Sequence, residues 1–433
     1  MLLGFKVSNF RSFRDPALLL LTRSGRVEGE AGGFPDPSIA PAVAIFGPNA
    51  SGKSNLLRAI STMFGMIQSP TSDGDSGLPF SPYVLGEEPG AFTLFEVMVR
   101  IDGVRHDYGF TYDADRILSE WLRSWPKGRQ RTLFERDAND ADGWRFGDTL
   151  TGQNAALARA TRPNALFLST ARLLQHDILS PIQQHLATLV RTITSENLPG
   201  LMQDTLRSLS EDPTRAGRVI KLMSRADLGV VNMTVEEDVM PDDIREAARA
   251  FYSTLMPGAS PEEMDERFGL KSLAPRLRHS GAGREVAIPF SWESVGTQNF
   301  LALLGPILDR LESGGVLVVD EIDTSLHPRL VAELVRLFQS PKTNPNQAQL
   351  VLSTHDVTIM MNTGVYNVLE RDQLWFVEKD FAGASVLRAL SEFSPRRNEV
   401  FSRNYLNGKY AAIPRIDQHA FLDLWDETGE LEP

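Results

Sequence analysis

The clearest chemistry in this chain lies in Gly47-Pro48-Asn49-Ala50-Ser51-Gly52-Lys53-Ser54, which fits G-x-x-x-x-G-K-[ST] in full. Such a loop wraps a β-phosphate with backbone N–H groups. Glycine is therefore needed at Gly47 and Gly52, where a Cβ would clash or φ must be positive. The Lys53 ammonium supplies a point charge to the β- and γ-oxygens, and the Ser54 hydroxyl is a ligand for Mg²⁺. Candidate nucleotide contacts run through Asn49, Ala50, Ser51, Gly52, Lys53, Ser54 and Asn55.

A second constellation follows late in the chain. Gly314-Gly315-Val316-Leu317-Val318-Val319 is an apolar run that ends in Asp320-Glu321. Beside a phosphate loop, Asp320 would enter the Mg²⁺ shell, and Glu321 would orient and deprotonate an attacking water. A polar turn, Ile322-Asp323-Thr324-Ser325-Leu326-His327-Pro328, comes next. Then Leu350-Val351-Leu352-Ser353-Thr354 carries His355 at its tip. Ligands of open parallel sheets bind beyond the carboxyl ends of the strands. Lys53, Glu321 and His355 would thus meet on one ligand, with His355 at the γ-phosphate.

Those side chains need elements to hold them. Ala42-Val43-Ala44-Ile45-Phe46 suits a buried strand before the loop. Leu56, Leu57, Ile60, Met63 and Phe64 form the apolar stripe of a helix after it, whose positive end faces the phosphates. Ala91–Arg100 and Val104–Tyr112 alternate around Asp102-Gly103, a hairpin signal. Residues 1–170 therefore read as strand-rich. Residues 171–280 read as helical and without such strands, with Ile182, Leu186, Leu189 and Val190 on one face. The acidic pairs and triplets Glu236-Glu237-Asp238, Asp242-Asp243 and Glu262-Glu263 mark solvated surface there, and Arg215, Arg218, Lys221 and Arg225 read as exposed helix charges. Residues 281–433 return to strand–helix alternation, with a helix from about Pro328 to Phe338, which argues for a parallel sheet with crossover helices. Residues 74–77, 341–347 and the last few residues read as loops. Ser294 suits the start of a helix carrying Phe300, Leu301, Leu304, Ile307, Leu308 and Leu311, and Gly296 leaves room for a phosphate near the backbone.

Composition narrows the class. Apolar residues make up 42% and charged residues 23% of 433, ordinary values for a soluble globular chain. There is no cysteine, so thiolate metal sites, disulfides and a cysteine nucleophile are excluded. No apolar run approaches the roughly 20 residues that span a bilayer. A cytoplasmic protein with no membrane partner is expected. The net charge of −12 disfavours coating for non-specific nucleic-acid binding.

Together these pieces resemble the ABC-type ATPases, and within them the RecF/SMC/OLD-like branch. Val7-Ser8-Asn9-Phe10-Arg11-Ser12-Phe13 is similar to that branch's opening strand and turn, and the resemblance implies that Arg11 reaches the nucleotide. By the same resemblance Gly47–Ser54 is the Walker A, Asp320-Glu321 the Walker B, Ser325-Leu326-His327-Pro328 the D-loop and His355 the switch histidine. Glu293-Ser294-Val295-Gly296-Thr297 is the signature, with Val295 and Thr297 in place of a transporter's glycine and glutamine. Gln68 comes too early to be the Q-loop glutamine, and no later glutamine fits. Tyr108-Gly109-Phe110, Leu118-Ser119-Glu120-Trp121-Leu122, Leu166-Phe167-Leu168-Ser169, Trp375–Asp380 and Tyr405–Tyr410 look like the compact abortive-infection ATPases of the AbiLi/RloA type that lack a Toprim domain.

That resemblance implies an α/β fold: an ABC-type P-loop NTPase with a mixed core sheet, an antiparallel β subdomain and a helical insertion. It implies ATP and Mg²⁺ as ligands, and hydrolysis to ADP and phosphate. It implies a homodimer or higher oligomer with shared ATP sites, in which Ser294 and Gly296 of one copy close over the nucleotide of the other. An effector, a nuclease or toxin from the same operon, is the expected partner. DNA stays open as a ligand, above all for the alternative of a RecF/SMC-like repair or maintenance ATPase. A non-enzymatic scaffold is the third option. Glu378 and Asp380 read as surface acids, and no nuclease is expected in this chain.

Overall fold

The computed structural model describes residues 1–23, 36, 38–69, 77–86, 92–140, 143–239, 242–256, 258, 260–261, 264–265, 271–281, 283–361, 368–396 and 399–414. Glu262-Glu263, Ala91, residues 74–76 and residues from 415 onward lie outside that set.

Three sheets organise the chain. The first is antiparallel. It contains β1 (Leu2–Ser8), β2 (Ala17–Leu20), β4 (Thr93–Ile101), β5 (Val104–Tyr112), β6 (Ile117–Ser124), β7 (Arg131–Asp137) and β8 (Trp144–Phe146), in the order β2-β1-β4-β5-β6-β7-β8. Its alternation is the one the sequence shows: Phe95, Val97 and Val99 of β4 are buried and their neighbours are not. The turn between β4 and β5 has Asp102 at φ 48° and Gly103 at φ 77°, as a two-residue hairpin of matching twist requires.

The second sheet holds β3 (Ala42–Phe46), β9 (Val190–Ile193), β13 (Val316–Val319), β14 (Gln349–Ser353), β15 (Leu374–Lys379) and β16 (Ser385–Ala389), in the order β16-β15-β3-β14-β13-β9. All its pairings are parallel except that of β15 with β16. β3, β13 and β14 are buried along their whole length, as strands covered on both faces must be. The period of two divides their side chains between two cores. Val43, Ile45, Val318 and Val351 face the antiparallel sheet and the helix Lys53–Gln68. Ala44, Phe46, Leu317, Val319 and Leu352 face the helices Val295–Ser313 and Pro328–Gln339. The mixed core sheet and the antiparallel β unit are both as expected.

The middle stretch differs. Residues 171–280 do contain the helices Leu179–Leu189, Leu198–Glu211, Pro213–Arg225 and Asp242–Leu255. They also contain β9, which lies in the core sheet, and β10 (Val230–Val239) and β11 (Lys271–Gly281), which pair with β12 (Arg284–Ile288) in a third sheet. The strand-free expectation is corrected for two reasons. Val190 follows Leu189 without a loop, so a strand residue extends the spacing of the helical face before it. In β10 the exposed Glu236, Glu237 and Asp238 break the apolar pattern, a common device on edge strands. Arg215 is corrected as well: it is 8% exposed and bonded into the protein rather than solvated. No helix among the described residues is long and apolar enough to cross a membrane.

Two segments singled out in the sequence meet in space. Glu120, fully buried, accepts the N–H groups of Phe167 and Leu168 and the hydroxyl of Tyr108, at 2.7, 3.0 and 2.9 Å. The carboxylate thus fills the start of the helix Phe167–Leu173 and ties it to the antiparallel sheet.

Candidate functional site

The phosphate loop leaves the tip of β3 and enters the helix Lys53–Gln68 through Gly52 at φ 113°. A Cβ on Gly47 would strike the Val377 carbonyl oxygen, and one on Gly52 would strike the hydroxyls of Ser385 and Ser12. Both glycines are required by contact, as their spacing predicts. Ala50 holds φ 60°, and Asn49 and Ala50 are exposed. Lys53 is 6% exposed and folds back, its Nζ on Gly47 O at 2.9 Å and Pro48 O at 3.2 Å. Burial lowers its pKa, against the opposing pull of Glu321, Asp320 and Asp323. Ser51 Oγ is buried and has no hydrogen-bond partner. An orphaned hydroxyl and a buried ammonium inside a glycine-lined loop are what a bound polyphosphate would satisfy.

The two acids sit at the tip of β13, one strand from β3. Ser353, at the end of the intervening β14, donates from Oγ to Asp320 Oδ1 at 2.6 Å and accepts Glu321 N–H at 2.7 Å. Glu321 takes a positive φ of 51°, rare for a residue with a Cβ, and its side chain is exposed. His355 N–H donates to Asp323 Oδ2 at 3.2 Å, while Asp323 Oδ1 is buried without a partner. Burial and the Lys53 charge hold the His355 imidazole below its ordinary pKa, with Asp323 and Glu321 acting the other way. Lys53, Asp320, Glu321 and His355 are therefore brought within one electrostatic neighbourhood beside three adjacent strand tips.

The outer wall of the loop was not legible in the sequence. Ser385 Oγ, on the edge strand β16, donates to Ser51 O at 2.5 Å and meets Ser12 Oγ at 2.8 Å. Asn55 Nδ2 donates to the same Ser12 hydroxyl at 2.8 Å, so that amide braces the Arg11–Ser12 turn. Arg11 is exposed at φ 50°, its N–H on Ser81 O at 2.6 Å, and burial and the nearby Arg58 lower its pKa. Ser54 is half-buried at the first turn of the helix. Gln68 lies at the far end of that helix, its amide on Ala187 O, which removes it from the loop. Glu378 pairs with Arg388 at 3.9 Å and Asp380 with Arg14 at 3.2 Å.

The segment Glu293–Thr297 is not brought onto this loop. Ser294 caps the helix Val295–Ser313, its Oγ accepting Thr297 N–H at 3.1 Å. Gly296 packs on Ser325 O, where a Cβ would collide, and Ser294 is exposed. Deeper in the same helix Pro306 lacks the N–H that would bond Ala302 O. Thr205 Oγ1, from the helix Leu198–Glu211, supplies that donor at 3.2 Å, and Gly305 gives it room. Arg215 adds a bond to Gly305 O at 2.9 Å and a close ion pair with Asp309.

A glycine-lined phosphate loop after one strand, paired acids after another and a histidine after the strand between them, all on a mixed sheet flanked by an antiparallel one, define a P-loop nucleotide-binding fold of the ABC ATPase type. The chain belongs to the family described as "AAA domain, putative AbiEii toxin, Type IV TA system", whose model matches residues 42–362. Among solved structures, the SMC head domain from Thermotoga maritima is 14% identical, with 90% of this chain and 98% of that chain covered and a TM-score of 0.43. An SmcHead bound to the C-winged helix domain of ScpA is 11% identical, with 90% and 99% covered and a TM-score of 0.46. A Pyrococcus furiosus Smc head with an extended coiled coil, bound to the C-terminal domain of ScpA, is 12% identical, with 90% and 97% covered and a TM-score of 0.35. No curated protein matches the chain.

Proposed function

We propose that this chain binds Mg-ATP in the Gly47–Ser54 loop and hydrolyses it when two copies close over shared sites, as the sensor or scaffold ATPase of an abortive-infection system that controls a partner effector. The observation that carries the enzymatic part is the clustering of Lys53, Asp320, Glu321 and His355 at adjacent strand tips. The family description, which names a toxin of a Type IV system, supports the defence setting.

The roles follow from the chemistry. Backbone N–H groups of the loop and Lys53 hold the phosphates. Ser54 and Asp320 would hold Mg²⁺, with Ser353 fixing the Asp320 carboxylate. When bound, the ion neutralises charge on the outer phosphates. Glu321, exposed beside Asp320, accepts a proton from the attacking water. His355, kept neutral, offers a ring N–H to the γ-phosphate. Arg11 adds positive charge at the loop's rim. Ser294 and Gly296 present an exposed helix start to the nucleotide of a second copy. Residues 1–170 and 281–433 form the two parts of the ATPase unit in this scheme, with β9 of the middle stretch completing its core sheet, and the remainder of residues 171–280 is the insertion a partner would load.

Glu321→Gln tests it. ATP binding should persist, turnover should fall by about 10²–10⁴-fold, and the ATP-dependent dimer fraction in light scattering should rise. Full activity in that variant removes Glu321 from the mechanism. Lys53→Ala should lose nucleotide binding. A DNA-maintenance ATPase would instead show turnover stimulated by duplex DNA in the purified chain.

A further inference from the structure

The exposed turn that carries Ser294 is held from behind by a residue of the third sheet. His279, on β11, places Nε2 2.7 Å from Glu293 Oε1. The Glu293 side chain is 7% exposed, although its neighbours Trp292 and Val295 are 78% and 60% exposed. The turn therefore has an inner face made by Glu293 and an outer face made by Trp292, Ser294 and Val295. Gln298 closes it from within, its amide on Phe290 O at 3.2 Å and Glu293 O at 3.1 Å. On the far side of the imidazole, a Cβ at Gly229 would lie 3.2 Å from Nδ1, so the backbone there backs the ring.

We propose that His279 is a positioning residue: through Glu293 it sets the direction in which Ser294 and the start of its helix face the nucleotide held by a second copy of the chain. This rests on the shared-site reading above. Among the described residues the His279 side chain bonds Glu293 and none of Lys53, Asp320, Glu321 and His355, so its effect falls on the partner's nucleotide. Hydrogen bonding between a buried carboxylate and an imidazole is directional, and a misplacement of about 1 Å in a positioning group can cost on the order of 100-fold in rate. The insertion's sheet thereby reaches the turn by this side-chain pair as well as through β12, which runs on into Phe290–Glu293.

The test uses whole chains and ATP itself. His279→Ala should bind ATP as the parent does and turn over about tenfold slower. His279→Gln, whose amide N–H can reach Glu293, should restore the rate. Mixed in equal amounts with Glu321→Gln, the His279→Ala chain should show turnover above the sum of the two alone. In the mixed dimer one site pairs an intact Glu321 with an intact His279-held turn. No gain in that mixture, while Ser294→Arg mixed with Glu321→Gln does gain, overturns the role of His279 and leaves shared sites standing. No gain in either mixture overturns shared sites and the role of His279 with them. Glu293→Gln carries the same comparison should His279→Ala not fold.

Discussion

Ser353 donates its hydroxyl to Asp320 across 2.6 Å, from the strand tip next to the one that bears the acid. The same oxygen accepts the N–H of Glu321 at 2.7 Å. One hydroxyl thus fixes the Asp320 carboxylate and the Glu321 backbone, the two groups proposed above to hold the metal and to act as base. Ser353→Ala should reduce kcat about tenfold, through loss of orientation at both acids. It should cost about 1–3 kcal/mol of stability, because the Glu321 N–H loses its partner. Steady-state turnover and a thermal melt check both; an unchanged kcat refutes the bridge.

The sequence made the inner half of the site legible because its chemistry is consecutive. Ala42–Ser54 and Val316–Glu321 each place strand, turn and polar group in one short run. The outer half is held by contacts between distant segments. Ser385 meets Ser51 across 334 residues of chain, and Ser12 meets Ser385 across 373. Nothing local distinguishes such serines from solvated ones. The third sheet is hidden for a related reason: β10 is an edge strand whose exposed acids obscure its period, and among its described side chains only Val230 and Met233 are buried. Arg215 reads as solvated in the sequence because its partners, Gly305 and Asp309, lie about 90 residues on.

Gly52 carries a sharper expectation. It stands at φ 113°, and a Cβ there would strike both Ser385 and Ser12. Gly52→Ala should destabilise the chain by about 1–3 kcal/mol and abolish ATP binding. Adding Ser385→Gly removes one of the two obstacles but not the backbone strain. The double variant should regain part of the melting temperature and little of the ATP affinity. Full recovery of affinity would show that the loop tolerates a side chain there and that strain is unimportant.

One buried and one half-buried histidine give the chain an acid limit. Burial is the largest influence on His106 and on His185, and it lowers both pKa values, with Asp107 and Asp102 pulling His106 the other way and Asp102 opposing burial at His185. Below the ordinary histidine value of about 6.5 the unfolded chain binds protons that the folded chain refuses. Stability therefore rises with pH up to that value and levels off above it, as far as these groups decide. Urea midpoints at a mildly acidic and a neutral pH measure the slope. The His106→Gln/His185→Gln chain should show a smaller slope than the parent; equal slopes would refute their part.

The helix that presents Ser294 is docked by a defect in its own ladder. Pro306 leaves Ala302 O without its helical donor, and Thr205 Oγ1 fills that place across Gly305. Thr205→Val keeps the shape and removes the donor, so the buried carbonyl is left bare at a cost of about 1–3 kcal/mol. Gly305→Ala puts a methyl against Thr205 and should cost about as much through overpacking. Thr205→Ala in the Gly305→Ala background removes the nearest obstacle, Oγ1, and Cγ2 with it, and leaves only the Cβ at 2.8 Å, so the pair should cost less than the sum of the Thr205→Ala and Gly305→Ala changes, with a coupling of about 0.5–3 kcal/mol. Denaturant midpoints of the parent, Thr205→Ala, Gly305→Ala and the double variant provide the cycle. Strict additivity would mean that the helix Leu198–Glu211 does not rest on this contact, and that the insertion holds the Ser294 helix by its apolar packing and by the ion pairs of Arg215 with Asp309 and Arg218 with Glu312.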